Sequence, residues 1–493
     1  VAVRHNSDPG FSHAVVHLAS EYWPYARSGG LAEAVRGIAR SQAVSGVATR
    51  VILPLHRKIR RDFPWLQETF SLDVQVGPRL ERARFFEAPA AEGHPTVYFV
   101  AHDGYFDRAD LYGDEEGVFA DNHARFAFFC RAALAALPRI VERPPLIHAH
   151  DWHTALALIY LRTGLAGQPF FDGTASVMTV HNAGFQGYYP PEVLDDLGID
   201  PRHYHWRFLE WYGQVNLLKG ALVSADAVTT VSPNHARELR TVDGGFGLEG
   251  TFLALGDRFH GILNGIEPDL WDPARDPGLH HPYCARDLRG KAVCKAGVQR
   301  ECGLDPENGT PLVGMSARLA VQKGFDLILE SGVVRDPGTQ WVFLGQGDRT
   351  YRDRLAALAH EYPERVAVQF DFTEDFEHRL LGGADILLMP SLYEPCGITQ
   401  MRAQRYGAVP VARRVGGLAD TIEDGRTGFL FDEYGPSALR AALARALAAY
   451  EDRDGWRDRV RRAMEQDFGW ARSVGLYQDV YRQAWRHRAG RQG

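Results

Sequence analysis

Along this chain, short apolar runs rich in β-branched residues alternate with segments of helical periodicity, and the whole rhythm occurs twice. AVVHLAS, TRVILPL, TVYFVAH, PLIHAH, SVMTVHN and AVTTVS carry it first. After HGILNGIE it restarts with LVGMSARL, WVFLGQG, RVAVQFDF, ADILLMPS, AVPVARRV and TGFLF. Near-continuous apolar runs are what strands need when helices cover both faces of a parallel sheet. Helices of suitable length lie between them, among them LAEAVRGIARSQAVSG, NHARFAFFCRAALAAL and VNLLKGALVSAD. The expected class is therefore α/β, with two Rossmann-like doubly wound domains, residues 1–262 and 263–470, joined near residue 262. Ligands of such sheets sit beyond the carboxyl ends of the strands, so the site is expected in a central cleft that both domains face. The last segment, 471–493, is aromatic and helix-patterned. Phe468, Trp470, Tyr477 and Tyr481 leave two packings open, back onto the N-terminal domain or as a cap on the second domain's own core.

The 493 residues exceed what one hydrophobic core accommodates, in keeping with this division. A formal charge of −7 excludes an overall basic footprint, so no nucleic-acid partner is expected. No run approaches the roughly 18 apolar residues of a membrane span, and the opening VAVRHNSDPG lacks the apolar stretch of a signal peptide. A cytoplasmic protein with no membrane partner is expected. Cys130, Cys284, Cys294, Cys302 and Cys396 are odd in number and lack CxxC spacing, which points away from a disulfide framework or zinc ribbon. Of 55 basic residues only Lys58, Lys219, Lys291, Lys295 and Lys323 are lysine. A genome-wide preference for arginine is the default explanation of the bias, which makes each lysine at a candidate site worth attention.

Several short constellations carry chemistry. Arg27-Ser-Gly-Gly-Leu-Ala-Glu-Ala-Val35 and Arg414-Val-Gly-Gly-Leu-Ala-Asp-Thr-Ile422 echo each other, each putting a glycine pair between a strand and a helix. Gly29 and Gly30 would let helix N–H groups approach an anion, or merely make a tight turn. LIHAHDWHTAL ends a buried strand on His148, His150, Asp151 and His153; a metal site is weighed there and polar lining of the cleft preferred. TVHNAGFQG repeats the format with His181 at its strand end. Gly245-Phe-Gly247-Leu-Glu-Gly250 spells a dinucleotide fingerprint but follows a helical run, which argues against that use. Arg318 and Lys323 lie five residues apart on a loop leaving a strand, a fork and a point charge suited to a diphosphate. In MPSLYEPCGITQ, Glu394 could accept sugar hydroxyls, and Cys396, Gly397, Ile398 and Thr399 lead into a helix whose first N–H groups suit a phosphate.

Taken in order, these segments resemble bacterial glycogen synthases and plant starch synthases, retaining glycosyltransferases of the two-Rossmann GT-B architecture. SEYWPYARSGGLAEAV, HAHDWHTAL, TVHNAGFQG, ADAVTTVSPNHARE, GFGLEG, GILNGIEPDLWDP, SARLAVQKG, GGADILLMPS, EPCGITQ and VGGLADTI carry the likeness over most of the chain. The resemblance implies ADP-glucose as donor and the non-reducing end of an α-1,4-glucan as acceptor, with no cofactor and no metal. It puts Arg27 at the position of the lysine that approaches the donor, and His181 beside the glucosyl group. Arg318 and Lys323 fall on the diphosphate pair, Glu394 on the carboxylate that holds the donor sugar, Thr399 on the phosphate-binding helix start, and Asp151 on a cleft aspartate facing sugar hydroxyls. Arg27 and Ser28 replace the usual Lys and Thr, and Arg402 stands where many retaining relatives carry a second Glu.

Leaving-group stabilisation by fixed charge is the expected mechanism. The Asp-x-Asp spelling of metal-dependent sugar transferases occurs at Asp452–Asp454, away from any strand. Alternatives are a GT-B transferase with a small acceptor, a pyridoxal-phosphate phosphorylase, for which none of the five lysines has a distinctive context, and a non-catalytic glucan- or nucleotide-binding module.

Overall fold

A computed structural model describes residues 13–114, 117–306 and 309–490; the opening run read above for a signal peptide lies outside the described residues. The chain divides into two compact units. One holds the residues up to Val231, Ala236–Asn264 and the segment from Trp470 onward; the other holds Ser232–His235 and Gly265–Gly469. Among the described residues no helix is long and apolar enough to cross a membrane.

The first unit is built on a nine-stranded sheet. Its strands are β1 (Val15–Leu18), β2 (Thr49–Pro54), β3 (Gln67–Val76), β4 (Arg79–Ala88), β5 (Thr96–Ala101), β6 (Leu146–His150), β7 (Ala175–Val180), β8 (Ala227–Thr230) and β9 (Phe259–Gly261). They lie in the order β9-β8-β7-β6-β1-β2-β5-β4-β3. All pair in parallel except β3 and β4, an antiparallel hairpin at one edge. Every residue of β1, β5, β6, β7 and β8 is buried, the physical counterpart of their apolar runs. The hairpin was not read from the sequence, because QETFSLDVQV and RLERARFFEA alternate apolar with charged residues on a half-exposed edge.

Helices cover both faces of this sheet. Helix α2 (Asn122–Ile140) brings Phe126, Phe128, Phe129 and Leu134 into one core with Leu156, Leu158 and Tyr160 of α3 (Ala155–Thr163). On the other face, Ala34 and Ile38 of α1 (Gly30–Val44) pack with Val15, Leu146 and Val177. The C-terminal segment joins them: Trp470, Tyr477, Val480 and Tyr481 of the terminal helix Trp470–Gly490 belong to this same cluster. Each fully buried side chain of this size contributes about 1.5–3 kcal/mol. Phe468 stays with the second unit, where its carbonyl accepts from Ile266 N at 2.8 Å.

The second unit carries a six-stranded, wholly parallel sheet. Its strands are β10 (Leu312–Ser316), β11 (Gln340–Leu344), β12 (Val366–Gln369), β13 (Ile386–Met389), β14 (Val409–Arg413) and β15 (Phe429–Phe431). Their order is β12-β11-β10-β13-β14-β15. The order reverses between β10 and β13 here, and between β1 and β6 in the first unit. Such reversals open a crevice at the carboxyl ends of the two strands concerned, which fixes where each unit can hold a ligand.

Candidate active site

The reversal in the second unit is occupied by Lys323 and Glu394. Lys323 ends a short 3₁₀ turn after β10, and Glu394 follows β13. Lys323 Nζ meets Glu394 Oε2 at 2.6 Å, and Ser391 Oγ donates to the same oxygen at 3.0 Å. Glu394 is 6% exposed, and both of these bonds fall on Oε2, leaving them no hold on Oε1. The two loops are clamped together by backbone: Leu392 N donates to Gln322 O, and Gln322 Nε2 to Tyr393 O. Gly324, at φ +75°, presses against Pro390, where a Cβ would sit 2.2 Å from the carbonyl oxygen. Arg318, on the same loop, is exposed.

The turn after Glu394 leads into the helix Thr399–Arg405, so the helix begins at the threonine singled out above. Cys396 is 5% exposed and serves as packing. Gly397 takes φ +65°, and Gln400 Nε2 stitches the turn by donating to the carbonyls of Cys396 and Gly397 and to Thr421 Oγ1. Ile398 and Thr399 are half-buried beside it. Arg402 is 6% exposed, pairs with Glu377 at 3.2 Å and lies 3.9 Å over the Trp271 ring, while Glu377 accepts from Ser316 Oγ. Its guanidinium is thus part of the second unit's packing.

In the first unit the reversal lies between the ends of β1 and β6, and a carboxylate the sequence reading missed stands there. Glu21, 3% exposed, accepts four hydrogen bonds. Ser28 N and Gly29 N donate to its Oε2 at 2.6 and 3.2 Å, and Ser28 Oγ and Tyr112 OH to its Oε1, both at 2.7 Å. The hydroxyl at position 28 therefore has a defined job. The N–H groups of Ser28 and Gly29, at the entry to α1, are committed to the chain's own carboxylate, the charge a helix N-terminus favours. Gly30 opens α1. Arg27 Nη2 pairs with Glu33 Oε1 at 2.9 Å, one turn along.

Asp151 follows β6 in a left-handed conformation, φ +57°. Its Oδ1 accepts from His181 N at 2.7 Å and Asn182 N at 3.4 Å, so the aspartate braces the turn that carries His181. Burial pushes its carboxyl up to about 7, against those two hydrogen bonds and with help from nearby Glu21. His181 is half-buried, and desolvation pulls its imidazole down to about 3.

His148 and His150 do not line a cleft as the sequence suggested; they are 0% and 1% exposed, beneath the terminal helix. His17, His148 and His150 place ring nitrogens within 4.8 Å of one another, close enough to raise a metal site. Both nitrogens of all three rings are instead engaged in hydrogen bonds to Gln42, Tyr481, Thr179, His181 and one another. Satisfied in this way, a buried polar cluster is compatible with the core.

The remaining lysines are accounted for. Lys291, pulled down to about 8 by burial, donates to the carbonyls of Gly382, Ala384 and Tyr406. Lys295 pairs with Asp385 at 2.6 Å, Lys219 holds the carbonyls of Trp206 and Glu210, and Lys58 is exposed. The Asp-x-Asp spelling is also structural: Asp452 caps a helix through Gly455 N, and Asp454 pairs with Arg457. The GFGLEG loop is pinned by Gln186 and Trp211, which donate to the carbonyls of Phe246 and Gly247.

Comparison with known proteins identifies the family. Residues 14–254 match the family described as Starch synthase catalytic domain, and residues 304–463 match Glycosyl transferases group 1. The glycogen synthase of Syntrophotalea carbinolica is 42% identical over 478 residues, covering 95% of this chain and 98% of the relative. Glycogen synthase 2 of Geobacter sulfurreducens is 41% identical over 477 residues, with the same coverage. The chain belongs to the glycogen synthase family.

Among solved structures, the catalytic domain of starch synthase IV from Arabidopsis thaliana, bound to ADP and acarbose, superimposes with a TM-score of 0.88 at 31% identity, over 96% of this chain and 100% of that one. Sucrose-phosphate synthase from Thermosynechococcus elongatus shares the fold at a TM-score of 0.62 and 18% identity, over 96% and 99%. The chain is a glycosyltransferase with the GT-B fold, and glycogen synthesis is the function of its relatives and of this chain.

Proposed function

We propose that the chain transfers glucose from ADP-glucose to the non-reducing end of an α-1,4-glucan with retention of configuration, and that it does so in the cytoplasm. The observation that carries the residue assignments is the Lys323–Glu394 pair at the strand-order reversal of the second sheet. It is supported by the likeness to a starch synthase whose structure holds ADP and acarbose.

In this reading Arg318 and Lys323 neutralise the diphosphate, with the backbone from Gly397 to the helix start at Thr399 completing the cradle. Glu394, fixed through Oε2, offers Oε1 to donor sugar hydroxyls. His181 and the Asp151-braced turn contact the glucosyl group, and Arg27 approaches the donor with Gly29 and Gly30. Transfer breaks the bond between glucosyl C1 and the β-phosphate oxygen. The acceptor's 4-hydroxyl oxygen bonds C1 on the same face, its proton passes to the departing phosphate oxygen, and ADP leaves. Fixed positive charge aimed at that oxygen is the main source of acceleration.

The test is incorporation of labelled glucose into glycogen from ADP-glucose and from UDP-glucose, followed by debranching and chain-length analysis. Elongated α-1,4 chains from ADP-glucose are expected. Label confined to a small acceptor, or donor binding with no polymer, would contradict the proposal.

A further inference from the structure

His181 is not isolated: it terminates a line of buried hydrogen bonds that begins at one amide. Gln42, on helix α1, is 0% exposed and sits between two partners. Its Oε1 faces His17 Nε2 at 2.8 Å, and its Nε2 donates to Tyr481 OH at 2.7 Å. His17 Nδ1 lies 3.0 Å from His150 Nε2, and His150 Nδ1 lies 3.0 Å from His181 Nε2.

The amide fixes every proton on this line. An amide oxygen only accepts, so His17 carries its proton on Nε2. Burial keeps His17 neutral, at about 4, so its Nδ1 is bare and can only accept. His150 therefore donates from Nε2 and is bare at Nδ1, and His181 donates from Nε2 in turn. The other branch follows in the same way. Tyr481 OH, having accepted from Gln42, donates to His148 Nδ1 at 2.9 Å, and His148 Nε2 donates to Thr179 Oγ1 at 2.6 Å. Reversing the amide would reverse both branches together.

We propose that Gln42 and His17 are positioning residues that lock His181 in the tautomer with Nε2 protonated and Nδ1 bare. Neither touches substrate; they act through His150. The consequence for catalysis rests on the reading that His181 contacts the glucosyl group. A bare Nδ1 accepts a hydrogen bond from a sugar hydroxyl, whereas the opposite tautomer would point an N–H at it.

The experiment is nitrogen-15 NMR of histidine-labelled protein, which separates protonated from bare ring nitrogens, with His150 and His181 assigned by single substitution. In the wild type both rings are expected as pure Nε2–H tautomers. In Gln42→Met and His17→Phe, which keep the volume and remove the polar link, His181 is expected as a mixture of tautomers. kcat is expected to fall about 10–100-fold with the donor KM changed less than about twofold, as for loss of orientation rather than of binding. A His181 signal carrying the proton on Nδ1 in the wild type overturns the proposal even if neither variant folds. An unmoved His181 tautomer in folded variants also overturns it. A shifted tautomer with unchanged kcat upholds the relay and removes His181 from the donor contacts, so the two readings fail separately.

Discussion

The two Gly-Gly-Leu-Ala turns share a spelling and differ in what they do. In the second unit, Gly416 and Gly417 are jammed against the Glu394 loop: a Cβ on Gly416 would lie 1.8 Å from Glu394 O, and one on Gly417 1.9 Å from Cys396 O. Gly416 also takes φ +42°, and Gly417 N donates to Glu394 O at 3.1 Å. In the first unit, a Cβ on Gly29 would meet nothing within 4 Å, and its φ of −161° is ordinary extended backbone. That turn is held through its N–H groups by Glu21. Gly416 and Gly417 are required by close packing against the Glu394 loop, whereas Gly29 leaves an open surface beside a helix N-terminus. A repeated motif is thus evidence of a repeated backbone path and not of a repeated role.

The contrast can be broken by substitution. Of the turn glycines, Gly416→Ala is expected to have the larger effect, costing about 1–3 kcal/mol through strain and overpacking. It should also lower kcat about 100-fold by displacing Glu394; a fully active, equally stable variant would show the turn to be as open as its counterpart.

Glu21→Gln comes next. An amide keeps one acceptor but turns an NH₂ toward the donors that now meet a carboxylate, at a cost of about 1–3 kcal/mol in urea unfolding. Unchanged stability would show that the first turn needs no anion.

A third effect appears only as a pH slope. Asp151 titrates near 7 in the folded chain against an ordinary 3.8, so between those values the folded state holds the extra proton. The stability this contributes is full below about pH 4 and lost as pH rises to about 7. Asp151→Asn removes that decline, and its stability relative to wild type should rise by about 2–4 kcal/mol over the interval. A flat difference between the two unfolding curves would place the titration elsewhere.

Smallest is Gly29→Ala, expected to change stability by less than about 0.5 kcal/mol. Arg27→Lys belongs beside it, restoring the residue usual in the family at a position already paired with Glu33. Activity within about threefold of wild type is expected, and a collapse would mean that the guanidinium geometry matters.

The parallel strands were legible because burial on both faces writes itself as unbroken apolar runs. The β3–β4 hairpin was not, since an exposed edge pairs charged residues with apolar ones and leaves no such run. Of the candidate site, Lys323 and Glu394 were singled out on loops that follow strands and Thr399 at a helix start, and the structure has them there. The joining of Lys323 to Glu394 was not legible, because the contact spans 71 residues of chain. Gln42 and His17 went unread for the same reason: His17 meets His150 across 133 residues, and Gln42 meets Tyr481 across 439. His148 and His150 were placed as cleft lining because their burial is decided by the distant helix that carries Tyr481.

The assignment of donor chemistry to the second unit's switch point is tested most directly by Glu394→Ala. Initial rates of glucose transfer from ADP-glucose to glycogen would be measured beside a calorimetric titration with ADP and a thermal unfolding curve. A folded variant that still binds ADP but turns over about 100–1000-fold more slowly is expected. Wild-type turnover in that variant would contradict the assignment.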